Sequence, residues 1–193
     1  MRTHRITIVA SGMDPEAEDF EDRFFEAGCD DATISVQKGL VLLDFAREAR
    51  TFLSALWSAV ADVERAGAKI ERIEPDYLVS ASEIAERAHL SRSAVSLYAK
   101  GERGRDFPPP VARVTSESPL WDWSEVASWM HRKNALPLAA VLEAKAVREV
   151  NRAFSAAALS ATFLGRRIGR ERLRRSVRRE GHSGGSACRV RRA

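Results

Sequence analysis

Between His4 and Ile73 the hydrophobic spacing switches repeatedly from a strand-like alternation to a helix-like repeat, and this switching is the feature that most restricts the fold. His4–Ala10 alternates, with Ile6, Ile8 and Ala10 on one face, as a half-buried strand does. Asp14-Pro15 then predicts a helix start, with Asp14 as N-cap and Pro15 at the first helical position. Its apolar stripe is Ala17, Phe20, Phe24 and Ala27, and Gly28 ends it. Ala32–Val36 and Leu40–Ala46 read as two strands joined through Gln37-Lys38-Gly39, a hairpin signal. Arg50–Ala66 reads as a second helix with Phe52, Leu56, Val60 and Val63 inward, closed by Gly67. Ala68–Ile73 supplies a last strand. The order β-α-β-β-α-β is the split βαβ or ferredoxin-like arrangement, expected over residues 1–75. That arrangement serves many unrelated activities, so it says little about function.

Within it, Lys38-Gly39-Leu40-Val41-Leu42-Leu43-Asp44-Phe45 starts and ends like the third strand of an RNA-recognition motif. Leu40 and Leu42 stand where that motif has base-stacking aromatics, and the module is acidic, which argues against RNA. If Val41, Leu43 and Phe45 face the helices, Leu40 and Leu42 face away. An apolar open side of the sheet would then want covering, by a second copy or by the rest of the chain. A sensor module for a small-molecule effector of unknown identity is the other reading.

The net charge of +4 conceals a gradient. Through Tyr77 there are 9 basic against 16 acidic residues, whereas from Ala161 onward there are 11 against 2. An acidic head and a basic tail suggest separate modules, one of them suited to a polyanion. Arginine outnumbers lysine 26 to 5, which reads mainly as the bias of a GC-rich, bacterial coding sequence. No signal peptide fits the start, because Asp14, Glu16, Glu18 and Asp19 arrive before an apolar region can form. The uncharged stretch Ala153–Gly165 is too short to span a bilayer. Cys29 and Cys188 make neither a disulfide framework nor a metal site by spacing. A cytoplasmic protein without metal, cofactor or membrane association is expected.

Residues 76–134 are the most informative. Ser80 predicts an N-cap and Glu83, three residues on, completes a capping box. A break at His89-Leu90-Ser91 precedes a second helix, Arg92–Lys100, capped by Ser91 and ended by Gly101. Two short helices joined by such a turn form a helix-turn-helix, with Ile84, Ala85, Ala88, Leu90, Val95 and Tyr98 between them. The turn usually takes a glycine at positive φ, and His89 is a tolerable substitute. Beyond Asp106-Phe107-Pro108-Pro109-Pro110, a strand is expected at Val111–Val114 and a return strand at Leu120–Trp123. A third helix follows, capped by Ser124, with Trp121, Trp123 and Trp129 as core anchors.

Four blocks in this order, Ser82-Glu83-Ile84-Ala85, Leu90–Val95, Phe107–Val111 and Trp123–Trp129, resemble the AlpA/excisionase group of winged helix-turn-helix proteins, relatives of the MerR-type DNA-binding domain. The resemblance covers under a third of the chain. It implies double-stranded DNA as partner, with the second helix in the major groove. Arg92, Ser93 and Ser96 would then read bases and Leu97 would meet a thymine methyl. Ser91, Lys100, Arg103 and Arg105 would hold phosphates.

After a joint at Asn134–Pro137, the stripe Leu138, Val141, Leu142, Ala146, Val150, Phe154 and Ala158 predicts a long helix in a 135–180 extension. It would dock on the protein or pair with a second copy, and a two-fold homodimer would suit paired DNA half-sites. Arg166, Arg167 and Arg170 open a run of eight arginines in fourteen residues that would grip phosphate in a salt-sensitive way. Residues 181–193 read as a disordered basic tail. The carboxylates from Asp14 to Asp22 lie without a paired base, phosphate loop or nucleophile motif, so no enzyme is expected. The leading reading is a bacterial transcriptional regulator; a protein–protein adaptor and an excisionase-like recombination factor are the alternatives.

Overall fold

The computed structural model describes residues 1–157, an α+β chain whose residues Met1–Phe154 form one compact unit. Six helices and a four-stranded antiparallel sheet make up most of the described residues. Arg166, Arg167, Arg170, Ala158 and the tail 181–193 lie outside the described residues.

The first 74 residues run β1 (Arg2–Ser11), α1 (Phe20–Glu26), β2 (Ala32–Gln37), β3 (Leu40–Ala49), α2 (Phe52–Arg65) and β4 (Lys69–Glu74). The sheet order is β2-β3-β1-β4, with every neighbouring pair antiparallel. Lys38 and Gly39 both have positive φ, 53° and 77°, so the β2–β3 hairpin closes with the two-residue turn that matches strand twist. Helix α1 is shorter than its sequence suggests. Asp14 and Pro15 sit in a turn instead, where Asp14 Oδ1 accepts from Glu16 N–H at 3.1 Å. Asx turns of this kind compete with helix geometry, and they delay the helix until Phe20. Thr51 caps α2 by accepting from Ser54 N–H at 3.1 Å, which moves its start past Arg50.

The core under this sheet joins Ile6, Ile8 and Ala10 to Phe24, Leu43, Phe45, Leu56 and Val63, all nearly or wholly inaccessible. One charged group is buried with them. Arg47, 9% exposed, donates to both Asp31 oxygens at 2.7 and 2.9 Å, to Gly28 O at 2.8 Å, and to Asp62. Its guanidinium is held protonated by these partners, chiefly Asp31, and the hydrogen bond from Arg47 holds Asp31 below the usual carboxylate range. Burial, assisted by Asp62, pushes the Cys29 thiol up to about 11, so this free cysteine stays a neutral, unreactive packing group.

The open side of the sheet is not bare hydrocarbon. Leu40 and Leu42 are half-buried, and Val9, paired in register with Leu42 and Arg72, is 1% exposed. Thr7 donates to Asp44 at 2.6 Å and Arg72 pairs with Glu74, which gives that side a polar character.

From Tyr77 a second core begins. Strand β5 (Leu78–Val79) leads into α3 (Ala81–Arg87) and α4 (Arg92–Ala99); β6 (Trp121–Asp122) then runs straight into α5 (Trp123–Arg132). The return segment pairs differently from its sequence expectation. β6 is antiparallel to β5, with Val79 opposite Trp121, and Val111–Val114 contributes only an isolated bridge, Ala112 to Leu120. Three prolines precede that segment, so a longer ladder there would lack donors. Trp123 is helical, and Asp122, not Ser124, caps α5, accepting from Ser124 N–H at 2.9 Å.

Helix α6, residues 138–157, belongs to both cores: Val141 and Ala144 pack with Val126 and Met130, whereas Val147 and Val150 pack with the sheet. Its buried Asn151 accepts from Ile73 N–H at 2.7 Å and donates to Ile73 O at 2.9 Å, replacing the neighbour that edge strand β4 lacks. One turn earlier Arg148 Nε lies 2.8 Å from Asp122 Oδ2, close enough to attract though not aligned as a hydrogen bond, and its Nη1 donates to Ser124 and Glu125 at 3.1 Å each. The long apolar stripe is therefore largely consumed within the chain; Leu138 and Leu142 remain exposed.

Two outcomes are expected. Asn151→Leu strands a buried amide and carbonyl at Ile73 and should lower unfolding stability in urea by about 2–4 kcal/mol. Asp31 binds its proton more weakly folded than unfolded, so the stability it adds is present above the ordinary aspartate value of about 4 and is lost as pH falls through its depressed folded value. Asp31→Asn should thus be less stable than wild type at neutral pH, with the gap closing in acid, as read from denaturation midpoints across pH.

Candidate nucleic-acid interface

Helices α3 and α4 owe their existence to caps and packing, since seven or eight residues are too few to be helical alone. Ser80 Oγ accepts from Glu83 N–H at 3.3 Å while Glu83 accepts from Ser80 N–H at 2.7 Å, a complete capping box. The bond from Ser80 N–H holds the Glu83 carboxyl below its usual range. The turn that follows places His89 at φ 54°, and Leu90 N–H closes it on Ala85 O at 2.8 Å. Ser91 caps α4 by accepting from Ala94 N–H at 3.2 Å.

Helix α4 buries Ala94 and Val95, and Val95 joins the core cluster of Ile84, Ala85 and Val126. That orientation fixes what faces out. Ser91, Arg92, Ser93, Ser96 and Lys100 are exposed along the free side and Leu97 is half-buried beside them. The structure therefore brings all of the helix residues singled out from sequence onto one surface. Arg92, Lys100 and Arg105 enter no ion pair among the described residues.

Arg103 and Arg105 continue this surface on the loop after α4, which is anchored rather than loose. Trp129 Nε1 donates to Arg105 O at 2.9 Å and Trp121 Nε1 donates to Pro108 O at 3.1 Å. Tyr98, Phe107 and Trp129 pack edge and face with ring centroids 5.0 to 5.9 Å apart, and the Arg103 guanidinium lies 5.5 Å over Tyr98. Gly104, at φ 74°, passes so close that an added Cβ would stand 3.0 Å from the Trp129 ring. Trp121, Trp123 and Trp129 are 3 to 9% exposed and serve as anchors.

One exposed cation escaped the sequence reading. Arg113, at φ 50°, sits just past the Ala112–Leu120 bridge at the turn of the 111–120 hairpin. Its neighbours Val111 and Val114 suggested an ordinary strand, which concealed the turn. The surface is not uniformly basic, because Glu102 and Asp106 are exposed among these arginines. The carboxylates of Asp14, Glu16, Glu18 and Asp19 are exposed in the turn before α1, remote in sequence from this surface. No helix among the described residues is long and apolar enough to cross a membrane.

No family model, curated protein or solved structure matches the chain.

Trp129→Phe removes the hydrogen bond to Arg105 together with the part of the buried indole that lies under Gly104. A loss of about 2–3 kcal/mol is expected, with the increase in amide exchange greatest over residues 101–110.

Proposed function

We propose that the chain is a sequence-specific DNA-binding protein, a bacterial regulator that places α4 in the major groove. The observation that carries this reading is the division of labour on α4. One side is locked into the core by Ala94 and Val95, while the other presents Arg92, Ser93 and Ser96 to solvent without any folding role. Short polar and guanidinium groups at the first turns of such a helix suit base edges, Arg for guanine O6 and N7 and Ser for either base type.

On this reading Ser91 and Lys100 flank the helix as phosphate contacts, and Arg103 and Arg105 extend them. The hairpin at Arg113 is the wing, and Arg166, Arg167 and Arg170 add a nonspecific grip. The capping box, the positive φ at His89 and the tryptophan-anchored loop support kinship with AlpA/excisionase-type winged helix-turn-helix domains. Helices following β1 and β3 across a β2-β3-β1-β4 sheet support a ferredoxin-like reading of the first 75 residues, with a sensing or docking role.

Binding-site selection from a random duplex pool near physiological salt tests the proposal. An enriched motif is expected. Arg92→Ala should relax preference at one position and cost about 1–3 kcal/mol on the selected site, whereas Lys100→Ala should weaken all sequences alike and flatten the salt dependence. A pool that stays random, with binding only at low salt, would overturn it.

A further inference from the structure

Helices α2 and α6 carry more apolar surface than their own cores use. On α2, Ala55, Leu56, Ala59, Val60 and Val63 face inward, yet Leu53 and Trp57 stand 49% and 50% exposed, four residues apart on one side. On α6, Leu138 and Leu142 are 55% and 59% exposed at the same spacing. Single exposed leucines are ordinary, but Leu53 of the first pair and Leu142 of the second line a common groove. The groove has a volume of about 620 Å³, and Phe52, Leu53, Ala139, Leu142 and Ala146 give it a largely apolar lining. His4 also lines it, edge-on to Phe52 at 6.0 Å, and its buried Nε2 has no hydrogen-bond partner.

We infer that this groove is where a second copy of the chain docks. The charges around it select that occupant. Arg2 and Arg50 stand on the β1–α2 wall, and α6 contributes Lys145 together with Glu143 and Glu149. None of these five enters an ion pair among the described residues. A partner of one sign would meet like charge on part of the rim. A two-fold copy whose axis crosses the groove meets the opposite wall, so the arginines of one protomer face an α6 wall that carries two carboxylates against one lysine. The same operation sets Leu142 of each protomer against Leu53 of its partner, and the exposed Trp57 and Leu138, one turn along from each, extend the contact beyond the groove. Because Arg148 and Asn151 fix α6 to both cores, a dimer built on α6 holds two copies of the α3–α4 surface in a defined two-fold relation. The inference stands on the groove alone and does not depend on DNA binding.

The test is the mass of the full chain in solution, by light scattering and sedimentation across about 1–100 µM, the range in which a contact of this kind dissociates. Wild type should approach twice the chain mass at the top of that range. Leu142→Lys and, separately, Leu53→Lys should each weaken association by about tenfold or more, with helical content unchanged and the wild-type melting curve kept at concentrations low enough for both proteins to be monomeric. Two variants are used so that one poorly folded protein does not decide the outcome. A wild-type monomer at the highest concentration would overturn the proposal. So would a dimer unaffected by both substitutions, or a monomer that carries a small apolar molecule in the groove.

Discussion

The paired hydrogen bonds between Asn151 and the backbone of Ile73 hold the architecture together. An edge strand offers unsatisfied N–H and C=O groups, and a side-chain amide, with its acceptor oxygen and donor nitrogen side by side, answers both at once. That choice ties α6 to the sheet at a single register. Arg148, one turn earlier, ties the same helix to the N-terminus of α5, where Asp122 and Ser124 are almost inaccessible. A helix pinned at two levels a turn apart has little freedom to rotate or slide. The short β5–α3–α4–α5 core is thereby referred to the larger sheet instead of hanging from a flexible linker. Nδ2 of Asn151 also lies 3.3 Å from Asp76, whose carboxylate accepts from Tyr77 N–H, so the connecting segment is fixed by the same residue.

The two cores are organised by different physics. Beneath the sheet, an arginine is buried with two carboxylates and a backbone carbonyl. Such a network adds little stability over well-packed hydrocarbon, but it becomes costly when one partner is missing. It joins β3, α2 and the loop after α1 through directional bonds, which specify how those pieces meet. The second core uses aromatic rings instead. Indole N–H groups reach backbone carbonyls in the 101–110 segment, so side chains supply the bonds that a loop without secondary structure cannot make for itself. A segment rich in glycine and charge is held in place without becoming a strand or helix.

The legible parts of the sequence were those governed by local rules. The Lys38-Gly39 turn, the Ser80–Glu83 box, the Ser91 cap and the positive φ at His89 depend on residues within a few positions of each other. The misread parts depend on distant partners or on competition between two local options. Asp14-Pro15 carries the composition of a helix start, yet an Asx turn uses the same side chain at closer range. Ser124 looks like a cap, but Asp122 outcompetes it because Arg148, contributed by α6, stands beside its carboxylate. Asn151 is a lone amide in an apolar stripe, and only the tertiary fold gives it a strand to complete. The exposed side of α4 was legible for a further reason: the positions that must be buried were recognisable, and the remainder followed by helical geometry. Arg113 was not, because its role depends on a turn where a strand was expected.

The contrast between α4 and α6 bears on how the molecule divides folding from function. α4 is eight residues long and gives up one side, with two caps, to be held in place; nothing in the fold determines the identity of Arg92, Ser93 or Ser96. Residues without a folding role can change without disturbing the scaffold, so the exposed side of α4 is free to vary while its buried side is not. α6 is the opposite case. Almost every turn of it meets a neighbour, and Asn151 and Arg148 could not be exchanged without leaving buried groups unpaired. The two leucines it leaves outside are therefore the positions at which α6 can act outward while the rest of the helix remains committed to holding the cores in register.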